Sequence, residues 1–264
     1  SRLKSLTFQR KLRITVFVTG LGAIFVMPRL RFLRLFLYVF KLLKWEFVFQ
    51  NSDDLLELNR YSSANSLKFI IPGTPLDFSV FKLKGLNQGP LRVGMVARIL
   101  KDKGVDDYIS LANDLKLDQR FKFYYYGDVD INNPNSFNKA IIKRRFEEAD
   151  IVWIDDERNI SDIYTFDIAC LFSKREGFPR VIIEAGSQSI PTLIKNNKGI
   201  RHSVIDDING YKFDTMGEVK SCLVKLCSAR NELLNLKKSS YDYTLKHFET
   251  SSYLKSYLSV LNNS

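Results

Sequence analysis

What most limits the fold open to this chain is the steady alternation of short apolar, β-branched runs with helical patterns along almost its whole length. The first runs, at 12–19, 47–49 and 67–71, are separated by helical stretches at 30–45 and 52–59, the second capped by Ser52 or Asp53. The break Asn87-Gln88-Gly89-Pro90 is followed by runs at 91–97, 121–126, 151–153, 168–172 and 192–194. Helical patterns at 105–117, 137–149, 161–166 and 180–188 lie between them. A strand reached again only through a helix pairs in parallel, and the crossover helices then cover both faces of the sheet. The expected architecture is α/β, with two doubly wound parallel units at 1–85 and 86–235, the first short by several elements. The chain turns helical from about Val219, and its end, 236–264, is expected to pack back on the first unit.

Composition bears on partners more than on fold. With 45% hydrophobic and 26% charged residues over 264 positions, the chain can build a core and is not a disordered segment. Three cysteines, Cys170, Cys222 and Cys227, and two histidines are too few for a disulfide framework or much zinc chemistry, which points to a reducing, cytoplasmic setting. The net charge is +11, but the first fifty residues hold ten basic side chains against Glu46 alone. A nucleic-acid-coating surface would spread that charge over the chain, so nucleic acid is not an expected partner. An anionic surface facing the N-terminal part is.

The segment 28–46 sharpens this. Its longest uncharged run is the six residues 35–40, far short of the roughly 20 needed to span a bilayer. At 100° per residue, Phe32, Leu35, Phe36, Val39, Leu42 and Leu43 share one arc, while Arg31, Arg34, Lys41 and Lys44 gather on the other side. A basic amphipathic helix of this kind either lies in the headgroup plane of an anionic membrane or packs on a domain core. The apolar run 14–27 carries Thr19-Gly20-Leu21-Gly22 at its middle and continues into Pro28-Arg29, which suits a buried strand and tight loop better than a signal peptide. Position 1 is serine, so the chain is expected to begin inside a longer protein.

In open parallel sheets ligands sit at the carboxyl ends of the strands. Arg98 and Lys103-Gly104 follow one strand, setting two cations beside a helix N-terminus, an arrangement that suits a diphosphate. Gly127-Asp128-Val129-Asp130 follows the next, where glycine permits close backbone approach and the paired aspartates resemble a metal-binding D-x-D. Ser173-Lys174-Arg175-Glu176-Gly177-Phe178-Pro179 follows 168–172, with Glu184 just over a turn into the next helix. The Gly177 and Phe178 amides precede that helix, and Pro179 near its first turn gives up a donor that would have no partner there. Each of these groups is also compatible with an ordinary solvated turn or charge.

Together the residues resemble a family. Glu176-Gly177-Phe178-Pro179 with Glu184-Ala185 and Pro191 resembles the E-x7-E signature of the retaining family-four glycosyltransferases, which have the two-Rossmann GT-B architecture. The likeness extends through Val93-Gly94, Ala97-Arg98, Lys103-Gly104, the Gly127 loop and Asn209-Gly210-Tyr211. Upstream, Thr19-Gly20-Leu21-Gly22, Phe49 to Asp54, and Pro72-Gly73-Thr74-Pro75-Leu76-Asp77 are similar to members that build bacterial surface polysaccharides on a lipid diphosphate carrier. The resemblance implies a nucleotide diphosphate sugar donor, of the uridine type, a lipid-linked acceptor, and work at the inner face of the cell membrane. It implies that Arg98 and Lys103 hold the diphosphate, Glu176 the sugar hydroxyls, Gly127 and the Gly177 and Phe178 amides the donor, and Glu184 the ribose. Gly20 and Gly22 fall on the acceptor-side loop, and neither metal nor other cofactor is called for. Two alternatives stand beside it: a metal-dependent transferase using Asp128 and Asp130, and a non-catalytic remnant that only binds nucleotide or membrane. The family often has glycine where this chain has Ser189, which is expected to strain a helix end, and its earliest strands and glycine-rich acceptor loop precede anything seen here.

Overall fold

The computed structural model describes residues 15–20, 46–59, 68–80, 85–86, 88–155 and 164–262. Among them, nine strands form two sheets, and every strand pair is parallel. The first sheet is β1 (Thr15–Val18), β2 (Glu46–Phe49) and β3 (Lys68–Ile70), in that order, with helix α1 (Ser52–Asn59) between the last two. Its middle strand is buried at every position, as a strand covered on both faces must be. The segment 30–45, the run 21–27 and Gly22 lie outside the described residues. Among the described residues no helix is long and apolar enough to cross a membrane.

The second sheet has six strands: β4 (Leu91–Val96), β5 (Phe121–Tyr126), β6 (Ile151–Ile154), β7 (Ile168–Leu171), β8 (Thr192–Lys195) and β9 (Gly210–Phe213). Their spatial order is β6-β5-β4-β7-β8-β9, so the chain builds outward from β4 in one direction, then returns and builds outward in the other. Helices α2 (Val105–Leu115), α3 (Lys139–Glu148) and α4 (Arg180–Ser187) make crossovers. Leu91, Val93 and Met95 of β4 point into the main core and are fully buried. On the other face Gly94 admits the ring of Phe166; a Cβ there would lie 2.5 Å from ring carbon Cε1.

That ring accounts for one departure from expectation. The helix expected at 161–166 falls partly outside the described residues, and its described part, Tyr164 to Phe166, is irregular chain. Both aromatics are buried against Tyr126, Ala169, Ala185 and Ile190, so the segment follows the sheet surface rather than its own hydrogen bonds. Strand β9 was not anticipated. It pairs with β8 through Gly210 (φ 151°), whose backbone comes so near Thr192 that a Cβ would sit 2.7 Å from the Thr192 carbonyl carbon.

Three helices close the chain: α5 (Met216–Ser228), α6 (Arg230–Phe248) and α7 (Thr250–Asn262). Helix α5 starts three residues before Val219 because Thr215 and Glu218 form a reciprocal capping box. The C-terminal helices reach the first sheet. The Thr250 hydroxyl donates to Leu76 O (3.1 Å), the Tyr253 hydroxyl donates to Gly73 O (2.9 Å), and Tyr257 stacks on Phe17 with centroids 5.7 Å apart.

Candidate functional site

The strand order reverses between β4 and β7, which are direct neighbours. At such a reversal the two following loops diverge to opposite faces and leave a crevice at the carboxyl ends of the strands. The loops in question carry Arg98 to Gly104 and Ser173 to Pro179. Gly104, with φ 80°, opens α2, and a Cβ on it would lie 2.6 Å from Cβ of Phe172, so the two loops nest only because this residue is glycine. This nesting brings Lys103 Nζ within 2.5 Å of Glu176 Oε1 across 73 positions of sequence, each side chain only 19% exposed.

Arg98 stands further out. Its side chain is 62% exposed, and its guanidinium meets Asp130 at 2.8 Å. Gly127 (φ 137°) lets the β5 loop press on the end of β4; a Cβ there would be 2.9 Å from the Ala97 carbonyl carbon. Asp128 pairs with Lys139 at 3.1 Å, and Lys139 also meets Asp155 at 3.0 Å. The two aspartates of the D-x-D therefore serve separate cations, and among the described residues no group of three or more His, Cys, Asp or Glu gathers to hold a metal.

Pro179 is the N-terminal boundary residue of α4. Gly177 and Phe178 just before it are buried residues, and neither backbone amide donates to an acceptor among the described residues. Glu184, the fifth residue of α4, is 5% exposed, with both oxygens engaged: the Tyr164 hydroxyl donates to Oε2 at 2.7 Å and Arg180 Nε to Oε1 at 2.8 Å. Burial and the Glu184 charge push the Tyr164 phenol well above its ordinary range. Arg180 is the exposed partner, at 62%. Ser189, just beyond the helix, holds φ 60°, the left-handed conformation its glycine-like position requires.

The first sheet contributes contacts that the loop motifs alone did not indicate. Gly20, at the end of β1, packs against Gly177, whose Cα and N lie 3.4 Å from where a Gly20 Cβ would be. Asn51 Nδ2 donates to Gly177 O at 2.8 Å. Arg175 Nη2 meets the buried Asp54 at 2.8 Å, and Lys198 meets Glu57 at 3.2 Å. Asp53 accepts from Arg201 Nε (2.8 Å) and the Gly199 amide (2.9 Å), and lies 2.9 Å from His202 Nε2. Burial works against its ionisation, yet the Arg201, Gly199 and His202 contacts hold its carboxyl well below the usual range. An acidic helix start thus docks on a basic pair of loops, which charge patterning alone could have flagged: Asp53, Asp54 and Glu57 against Arg175, Lys198 and Arg201.

One family model matches more than half of the chain. Residues 79–228 match the model of the family described as glycosyl transferases group 1. The fold is similar to Anabaena HepE solved with UDP, at 13% identity and TM-score 0.79, covering 96% of this chain and 72% of that one. It is similar to the sucrose-phosphate synthase of Thermosynechococcus elongatus, at 16% identity and TM-score 0.74, covering 97% and 70%. TarM of S. aureus aligns at 18% identity and TM-score 0.68, over 82% of this chain but 43% of its own length. No curated protein matches the chain in sequence.

Proposed function

Since the chain belongs to the glycosyl transferases group 1 and carries the GT-B fold, we propose that it moves a sugar, with retention, from a uridine diphosphate sugar to a lipid-linked saccharide acceptor in cell-surface polysaccharide synthesis. The observation that carries this reading is the meeting of Lys103 and Glu176 at the strand-order reversal, beside the Gly177 and Phe178 amides, which donate to no acceptor among the described residues. In glycosyl transfer the anomeric carbon becomes cation-like while negative charge gathers on the departing diphosphate. Fixed cations and amide dipoles therefore bind that state more strongly than the ground state. Lys103 and Arg98 face the diphosphate, and Glu176 takes the sugar hydroxyls as Lys103 turns to the phosphate. The Gly127 backbone borders the donor, and Glu184 takes the ribose hydroxyls by exchanging Arg180 for them. The acceptor attacks from the face the diphosphate leaves, and the leaving oxygen takes its proton.

In this reading the unit at 1–85 presents the acceptor through the Gly20 and Gly22 loop, the unit at 86–235 holds the donor, and 236–264 ties the two. The basic first fifty residues hold the protein to the inner, anionic membrane face, which salt-sensitive binding to anionic vesicles and not neutral ones would support. Calorimetry with UDP and uridine tests the donor site: UDP should bind at least tenfold more tightly, with EDTA making no difference. Equal affinities would overturn it. Loss of binding in EDTA would instead favour the metal reading, against which stands the separate pairing of Asp128 and Asp130 with Lys139 and Arg98.

A further inference from the structure

The loop leaving β2 enters α1 through Asn51, which is 1% exposed. Its Oδ1 accepts the Asp54 amide at 2.8 Å, the bond of a helix-capping residue. Its Nδ2 donates to Asp54 Oδ2 at 3.0 Å and to Gly177 O at 2.8 Å. Capping needs only an acceptor, which serine or aspartate supplies equally well. The bond to Gly177 needs a donor, so the amide does something the cap does not explain.

Gly177 O belongs to the peptide unit whose other end is the Phe178 N–H. Described peptide bonds are all trans, and in a planar trans unit the carbonyl and the N–H point in opposite directions. Holding the carbonyl on Asn51 therefore turns the Phe178 N–H away from the first sheet, where no described protein atom accepts it. Asn51 is itself held. Arg175, in the same loop as Gly177, pairs with Asp54, and Asp53 is gripped by Arg201 and the Gly199 amide.

We propose that Asn51 is a positioning residue for the donor: by pinning the Gly177 carbonyl from the opposite sheet, it aims the Phe178 amide at the donor's diphosphate sugar. The proposal rests on the donor-site reading above. It makes the first sheet a contributor to donor binding and not only to the acceptor side. Glycine at 177 suits this role, since its backbone is approached by both Thr19 and Gln50.

The test is Asn51→Ser, which keeps a capping oxygen but ends one atom short of the asparagine amide, so its hydroxyl does not reach the Gly177 carbonyl. UDP should bind roughly ten- to a hundredfold more weakly, the loss of about one hydrogen bond to a charged group, while uridine affinity stays unchanged. A parallel loss of UDP and uridine binding would mean a structural role only and overturn the proposal, as would an unchanged preference for UDP. Wild-type chain that holds UDP no better than uridine would instead overturn the donor-site reading itself. Should the variant fail to fold, the wild-type Phe178 amide decides by 15N NMR: its signal should shift on adding UDP and not on adding uridine, and a signal unmoved by UDP overturns the proposal.

Discussion

Replacing Gly177 by alanine tests the meeting of the two sheets. Its φ is not in the left-handed region, so alanine is conformationally allowed and on its own would gain about 0.4–1 kcal/mol by restricting the unfolded chain. Packing opposes this. The new Cβ would fall 2.8 Å from the Thr19 carbonyl carbon and 3.0 Å from Gln50 Oε1. Carbon atoms rest at about 3.5–4.0 Å, so the loops must part by roughly 1 Å, and the nearest neighbour is backbone that cannot swing aside. Overpacking of this kind costs about 1–3 kcal/mol, which leaves a net loss of up to about 2.6 kcal/mol and a Tm lower by up to roughly 10 °C. The same displacement carries the Gly177 and Phe178 amides with it, and a misplacement near 1 Å can cost about a hundredfold in turnover. Thermal unfolding, UDP calorimetry and a sugar-transfer assay together read these effects. A Gly177→Ala protein with wild-type Tm and wild-type UDP affinity would show that the Gly20 and Gly177 loops do not touch as described.

Glu176→Ala should cut turnover while leaving UDP affinity nearly intact, because its sugar contact tightens as the ring flattens. Glu184→Ala should weaken UDP binding, and it should also lower stability by about 1–3 kcal/mol, since the buried Tyr164 hydroxyl loses its 2.7 Å bond to the carboxylate; equal UDP affinities and melting points for both variants would contradict these placements. Ser189→Gly should raise Tm by a few degrees: relief of a left-handed residue is worth about 1–2 kcal/mol, more than glycine's added chain entropy of about 0.5–1 kcal/mol. A lower Tm would mean that φ 60° carries no strain there. Asp53 ionises more readily in the folded chain than at its unfolded value of 3.8, so its contribution is full above about pH 4 and is lost as pH falls below that. The stability gap between wild type and Asp53→Asn, followed by urea titration, should therefore begin to narrow on acidification from pH 6 to pH 3, and a gap that widens would refute the assigned ion pairs.

The α/β class with parallel sheets was legible in the sequence because strand and helix patterns are local: β-branched runs, capping residues and glycine breaks act within a few positions. The runs at 91–97 and 121–126 became β4 and β5 nearly residue for residue. Thr215 and Glu218 show how a cap missed in reading shifts a helix start by three residues. Strand β9 was missed because it begins on glycine and carries no apolar run; its pairing depends on β8 and not on its own composition. The candidate site was legible only as separate loops. Nothing local says that β4 lies beside β7, and it is that adjacency which joins Lys103 to Glu176. Nor does any pattern within the loops reveal Asn51 on Gly177, 126 positions away, or the Tyr164 hydroxyl on Glu184. Residue types and spacing set which chemistry each strand end offers, whereas the order of the strands and the docking of α1 decide which of those groups meet, because contacts between distant segments depend on how the sheets close and not on neighbouring residues.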